Sequence, residues 1–465
     1  MRSCVLDSTS PDVLRPASCT ESPYDLIVSA PPAGRATAGW ADDVLRLVES
    51  TLARDGVAYL LAPRLRRRRL RRLITARGLW IEREVLHLPN LTSSLVLAPV
   101  EPELLRLAVG ELMSLRGWKR RAALIVASRR RAPTAVASAV GFVVRRHGCA
   151  PSFEWLSTLC GVPIQAAVVS RIRPSAEGFF VVFGFQEGGS RPSVVAKVVP
   201  ATDAAFGRES SALASMAPTA RAAGAEVPEV LGSGAVGEAR VLLLEPLAGS
   251  LAATLLIRSP RRLEDVVQRV VQWLLDWARL TKHPALLTSA LLDSYVLHPA
   301  DLIARRIRGG AEYLARLERL CAKSVGRQTI ATAAHNDLTM WNILVGDRGK
   351  IGVVDWEGAS NAALPLMDFY YAAADAVAAT SGYSDRAFAF TTAFDRETAG
   401  GRRIAGLESR LMNELGIPRL DAKLGFHACW LHHAANEIRR TSTADAGPFV
   451  RIVESIAAMD EPDLQ

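Results

Sequence analysis

The stretch AAHNDLTMWNIL, residues 333–344, is followed closely by KIGVVDWEG, residues 350–358. His335, Asp337 and Asn342 crowd one short segment, and the apolar run after it stops on Asp355. ILV and KIGVVD flank GDRG, a turn signal, so the two runs read as a hairpin. With the turn centred between Arg348 and Gly349, residue 342 faces residue 355, and cross-strand Cβ atoms lie roughly 5 Å apart. The Asn342 oxygen and the Asp355 carboxylate are therefore expected at one end of the hairpin. Hard oxygens of this kind suit Mg2+. Asp337, just ahead of the first strand, can orient and deprotonate a hydroxyl.

Upstream, IQAAVVSRI (164–172), FFVVFGFQ (179–186) and SVVAKVVP (193–200) are three successive strand-like runs. The turn EGGSRP supplies the glycines of a hairpin between the last two. Lys197, set among valines and alanine, is either at the edge of a half-exposed strand or an ammonium aimed at a negative group. The next segment, DAAFGRESSALASM (203–216), reads as a helix capped by Asp203. Phe206, Glu209, Leu213 and Met216 share one face, which points Glu209 inward, where Lys197 is its natural partner. A strand lysine held by a helix glutamate is how kinases present an ammonium to the phosphates of ATP; a plain structural ion pair is the other reading. ARVLLLEPLAG (239–249) is a strand running into a proline–glycine linker; in a kinase this would be the hinge, whose backbone groups, here those of Glu245 and Leu247, bond adenine. RPSAEGF (173–179), with Gly178, stands where a phosphate-covering loop would be.

His335-x-Asp337-x4-Asn342 has the spacing of a kinase catalytic loop. Together, HNDLTMWNIL, VVDWE and PLMDF (365–369) resemble the aminoglycoside phosphotransferase / choline kinase-like family, with similarity over about 164–380. The resemblance implies an α+β, bilobal, protein-kinase-like fold with a β-rich N-lobe and a mainly helical C-lobe. It implies ATP and Mg2+ as cofactors, Asp337 as catalytic base, and Asn342 and Asp355 as metal ligands. Lys197 and Glu209 would anchor phosphates, while His335 and Asp368 brace the loop. A small-molecule hydroxyl acceptor of sugar, amino-sugar or amino-alcohol type follows, with Asp375, Asp385 and Glu437 available to a cationic one. Asn336 stands where the family has glycine, and Met340 where proline is common; the latter is expected to loosen the loop. Trp341 either stacks on an acceptor ring or packs in the core. A catalytically inactive scaffold is the competing reading.

The N-terminal region has another texture. YDLIVSAPP (24–32), GVAYLLAP (56–63) and SSLVLAPV (93–100) read as strands, and WADDVLRLVESTL (40–52) and RRLRRLITARG (68–78) as helices, which together predict a parallel α/β sheet. The segment resembles the second half of a Rossmann-type methyltransferase. Only 23 residues precede Tyr24, and no GxGxxG-like cradle is present, so no S-adenosylmethionine site is expected. Arginines 64, 66–69, 71 and 72 make either a patch for anionic lipid or nucleic acid, or a solvated face with Leu65, Leu70 and Leu73 inward.

The resulting plan is a polar tail at 1–20, a truncated Rossmann-like module at 21–130 and a connector at 131–160. An N-lobe at 161–249 and a C-lobe at 250–465 follow. The net charge of +9 comes from arginines spread along the chain, with only six lysines, so no nucleic-acid partner is expected. The six cysteines form no CxxC pair, and no run reaches the eighteen apolar residues of a membrane span, so a cytoplasmic protein is expected. His427, His432 and His433 lack the spacing of a helical zinc pair.

Overall fold

The computed structural model describes residues 3–6, 24–30, 39–89, 95–99, 101, 104–105, 108–112, 123, 137, 139–147, 153–171, 179–203, 206–237, 239–440 and 447–459. Most of the tail, the RRRAPTA segment (129–135) and residues 172–178 of the loop with Gly178 lie outside the described residues. The chain divides into two units, residues 1–203 with 230–246, and residues 204–229 with 247–465.

The first unit is built on one eleven-stranded sheet. Its strands are β1 (Ser3–Leu6), β2 (Tyr24–Ser29), β3 (Leu52–Pro63), β4 (Trp80–Pro89), β5 (Leu95–Pro99), β6 (Ala139–Arg145), β7 (Ala166–Arg171), β8 (Phe180–Phe185), β9 (Val194–Pro200), β11 (Val230–Val236) and β12 (Ala239–Leu244); β10 (Ala225–Glu226) belongs to the other unit. The order is β1-β2-β3-β6-β4-β5-β7-β8-β9-β12-β11. Alternation makes the strands: in β3, Ala58, Leu60 and Ala62 are buried while their neighbours are not. Helix α1 (Trp40–Thr51) buries Val44, Leu45 and Val48, and α2 (Arg67–Ala76) buries Leu70 and Ile74. The arginines of α2 are largely solvated, with Arg67 and Arg71 paired to Glu84. Leu65, expected inward, is instead 89% exposed, because it sits in the turn before α2 rather than on its apolar stripe.

The parallel sheet expected here is in fact mixed. β1, β2 and β3 are parallel, but β6 runs antiparallel between β3 and β4, and β5 runs antiparallel to both β4 and β7. The segment forming β6, AVGFVVR, was expected to lie in a connector. Its glycine explains the local packing. A Cβ on Gly141 would stand 2.0 Å from Tyr59 Oη, and Tyr59 crosses that gap to bond His87 Nε2 at 2.5 Å. Burial lowers the His87 pKa to about 4.

The β5–β7 pairing, Leu97 with Val169, joins the N-terminal strands to those that carry Lys197. The cores merge too: Val168 and Phe185 belong to the cluster that holds Ile27, Leu60 and Phe142. The opposite face of β7–β9 and β12 packs Ala167, Val182, Ala196 and Val241 with Leu156 of α3 (Glu154–Cys160).

The second unit is mainly helical: α4 (Phe206–Ala222), α5 (Ala252–Arg258), α6 (Leu263–Thr281), α7 (His298–Ala304), α8 (Gly310–Ala322), α9 (Met367–Thr380), α10 (Arg386–Phe394), α11 (Ala399–Leu415), α12 (Arg419–Arg440) and α13 (Pro448–Ala458). Helix α9, alanine-rich and apolar but for Asp368 and Asp375, is buried along nearly its whole length, as an axial helix must be. Two small sheets complete the unit. One orders β10, β17 (Ile351–Val353), β16 (Ile343–Val345) and β13 (Ser250–Leu251); the other joins β14 (His283–Leu286), β15 (Gln328–Ala334) and β18 (Ser360–Ala363).

Candidate active site

β15 ends at Ala334, and residues 335–342 form a loop that leads into the β16–β17 hairpin. The hairpin exists as expected, but its register is shifted by one. Ile343 pairs with Val353 and Val345 with Ile351, so the turn centres on residue 348. Asn342 therefore faces Val354, whose N–H donates to the Asn342 carbonyl at 3.0 Å, and Asp355 falls one residue beyond the pair. The reason is an odd-length turn: Gly346 N–H bonds Lys350 O at 2.8 Å and encloses three residues. Asp355 then takes a left-handed backbone, φ 67°, which redirects the chain where alternation would have continued.

Asn336 is left-handed as well, φ 62°, a backbone that asparagine tolerates better than most residues. Its side chain secures the turn, Nδ2 donating to Gly358 O at 3.0 Å and Ser360 Oγ at 3.1 Å. His335 is fully buried, its Nε2–H donating to Val354 O at 3.0 Å and its ring set edge-on to Trp356. Asp368, in the first turn of α9, accepts from His335 N at 2.6 Å and Asn336 N at 2.8 Å, one per oxygen. Burial raises its pKa to about 6, against the pull of those two N–H groups. Both residues thus brace the loop.

At the centre of the loop, the Asn342 amide donates to Asp337 O at 2.8 Å and Asp337 Oδ2 at 3.3 Å. The amide nitrogen is thereby occupied, and Asn342 keeps a carbonyl oxygen as its free coordinating group. With the Asp355 carboxylate, the donor set is two hard oxygens, which fits a small divalent cation. Among the described residues no cluster of three or more His, Cys, Asp and Glu side chains is placed to hold a metal by itself.

Met340 does not loosen the loop. Unlike proline it has an N–H, which donates to Asp375 Oδ2 at 2.7 Å. The same oxygen accepts from Tyr383 OH at 2.9 Å, and Oδ1 takes Arg386 Nη1 at 2.6 Å. Burial opposes the charge on Arg386, but Asp375 overrides it and holds the guanidinium pKa above its ordinary value. Trp341 is half-buried and stacks on Tyr383, ring centres 6.0 Å apart. Sequence reasoning missed this network. Asp375 carries no local signature, and its partners come from a turn and helix beyond it.

Lys197 is buried mid-strand in β9, opposite Val181 of β8 and Leu242 of β12, so it is not at a sheet edge. Glu209 is buried on α4 in the other unit. Glu245 is exposed just after β12, and Leu247 lies against the hairpin, where Gly352 leaves room for it: a Cβ there would meet Leu247 Cδ1 at 3.0 Å. Asp385 and Glu437, the other carboxylates suggested for a cationic acceptor, cap helices. Asp385 accepts from Ala387 N and Phe388 N at the start of α10; Glu437 accepts from Phe449 N and Val450 N at the start of α13. His427 is buried against Tyr313 OH, 3.0 Å away, and burial depresses its pKa to about 3. Among the described residues, no helix is long and apolar enough to cross a membrane.

Residues 182–406 match the model of a family described as the phosphotransferase enzyme family. Among solved structures, the chain is similar to the aminoglycoside phosphotransferase APH(3'')-Id from Streptomyces rimosus in complex with ADP and streptomycin. That likeness is 19% identical, covers 54% of this chain and 88% of that one, and has a TM-score of 0.36. An aminoglycoside-3'-phosphotransferase of type VIII is 17% identical, with 53% and 92% covered and a TM-score of 0.32. A comparison with curated proteins found no match. The family match and the element layout give a kinase-like fold, with a β-rich N-lobe and a mainly helical C-lobe, and the match supports phosphotransfer as the general chemistry.

Proposed function

We propose that the chain is an ATP- and Mg2+-dependent phosphotransferase acting on the hydroxyl of a small molecule. One observation carries this reading: the Asn342 amide is bonded to Asp337 within a loop braced through both Asp368 and Asp375. A loop held this firmly presents a carboxylate base without reorganisation, and preorganisation is most of what phosphoryl transfer asks of a protein.

In this reading Asp337 accepts the proton of the acceptor hydroxyl as that oxygen attacks the terminal phosphorus of the nucleotide. Asn342 and Asp355 would hold the metal, which when bound neutralises charge on the phosphate oxygens. Lys197, steadied by Glu209, would bind the phosphates, and the backbone at Glu245 and Leu247 would bond adenine.

The test separates the roles. Lys197→Ala should weaken ATP binding as well as slow turnover. Asp337→Asn should leave ATP affinity intact while turnover falls by roughly 10²–10⁴-fold. Asp355→Ala should make ATP affinity indifferent to Mg2+. Full activity in Asp337→Asn, or wild-type metal dependence in Asp355→Ala, refutes the assignment; no turnover with any acceptor in the wild type would favour an inactive scaffold.

A further inference from the structure

A cavity of about 510 Å³ opens beside the catalytic loop, with Asn336, the neighbour of Asp337, in its wall. Tyr295 and His298 line it from the start of α7 and the turn before, and His432 and Arg439 from α12, with Asp293 as the acid among the described lining residues. His432, Asn436 and Arg439 recur at four- and three-residue steps, hence on one helix face. Asn436 ties them together: its Nδ2 donates to His432 Nε2 at 2.9 Å, and its Oδ1 accepts from Arg439 Nη1 at 3.3 Å. Arg439 is exposed, and no carboxylate among the described residues pairs with it.

The acids that would suit a polycationic acceptor are engaged elsewhere. Asp375 is locked to Arg386, and Asp385 and Glu437 terminate helices. An amino-sugar with several ammonium groups would meet one carboxylate, a guanidinium and two imidazoles. That wall fits the opposite charge.

Resting on the kinase reading above, we propose that the acceptor is an alcohol bearing an anionic group, phosphate or carboxylate, and that Arg439, with His298 beside the same cavity, holds it. A planar guanidinium takes either group through two parallel hydrogen bonds, which would fix the distance from the anion to the reacting hydroxyl.

The experiment is calorimetry on the full chain saturated with ADP and Mg2+, so that the nucleotide site is filled. The probes are inorganic phosphate, acetate, glucose 6-phosphate against glucose, glycerate against glycerol, and kanamycin. At least one anionic member should bind ten-fold or more tightly than its neutral partner; the phosphate and carboxylate arms tell which head is preferred. Arg439→Ala should remove the difference, and Arg439→Lys should restore part of it, with thermal melting showing both variants folded. Equal binding of anionic and neutral partners, an undiminished preference in Arg439→Ala, or tighter binding of kanamycin overturns the proposal. Failure of the kinase reading would appear separately, as loss of Mg2+-dependent ADP binding.

Discussion

Two carboxylates seven residues apart on α9 hold the start and the middle of the same loop by different means. Asp368 grips the left-handed start at His335 and Asn336 through two backbone N–H donors, and burial lifts its pKa to about 6. Asp375 grips the middle at Met340 and has a guanidinium and a tyrosine hydroxyl for company. One is a neutral-donor clamp near its titration point; the other is an ion pair between a buried carboxylate and a half-buried guanidinium. The difference teaches that one rigid loop can be pinned by a group that titrates and by one locked to a permanent cation, at separate positions.

The comparison breaks most severely at Asp375. Asp375→Ala strands a half-buried guanidinium, a hydroxyl and a buried N–H at once, and should cost about 3–5 kcal/mol, read as a large fall in melting temperature. Asp368→Ala leaves two buried N–H groups unsatisfied and should cost about 2–4 kcal/mol, with Asp368→Asn recovering part because one oxygen remains. Met340→Pro deletes a single donor to Asp375; denaturant titration should show about 1–2 kcal/mol lost.

The smallest effect is a pH dependence peculiar to the Asp368 end. Its folded pKa is raised above the ordinary carboxylate value of 3.8, so its contribution to stability is fully present below about pH 4 and declines as pH rises through about 6. The melting temperature of the wild type relative to Asp368→Asn should therefore fall between pH 4 and 6. A flat difference across that window would mean the carboxyl is not destabilised by burial.

Much of this loop was legible in the sequence, because local rules governed it. Asparagine in place of glycine was compatible with a left-handed residue, and the apolar runs around GDRG announced the hairpin. The register was not legible: a turn enclosing three residues instead of two moves every pairing by one, and composition does not count turn residues. Nor was Asp375, whose meaning depends on Tyr383 and Arg386 arriving from a turn and the next helix. The mixed sheet escaped for a similar reason. AVGFVV looks like any short apolar run, and only the gap between β3 and β4 makes it a strand.

The pairing of β5 with β7 has a practical consequence for anyone shortening the chain. A polypeptide begun after residue 145 would leave β7 with a row of unpaired N–H and C=O groups on the side where Leu97 and Val96 now sit. Val168 and Phe185 would lose the apolar cluster that buries them. Such a fragment would carry the means of recruiting copies of itself, strand to strand, so the first sign of the missing N-terminal strands would be self-association before any change in chemistry.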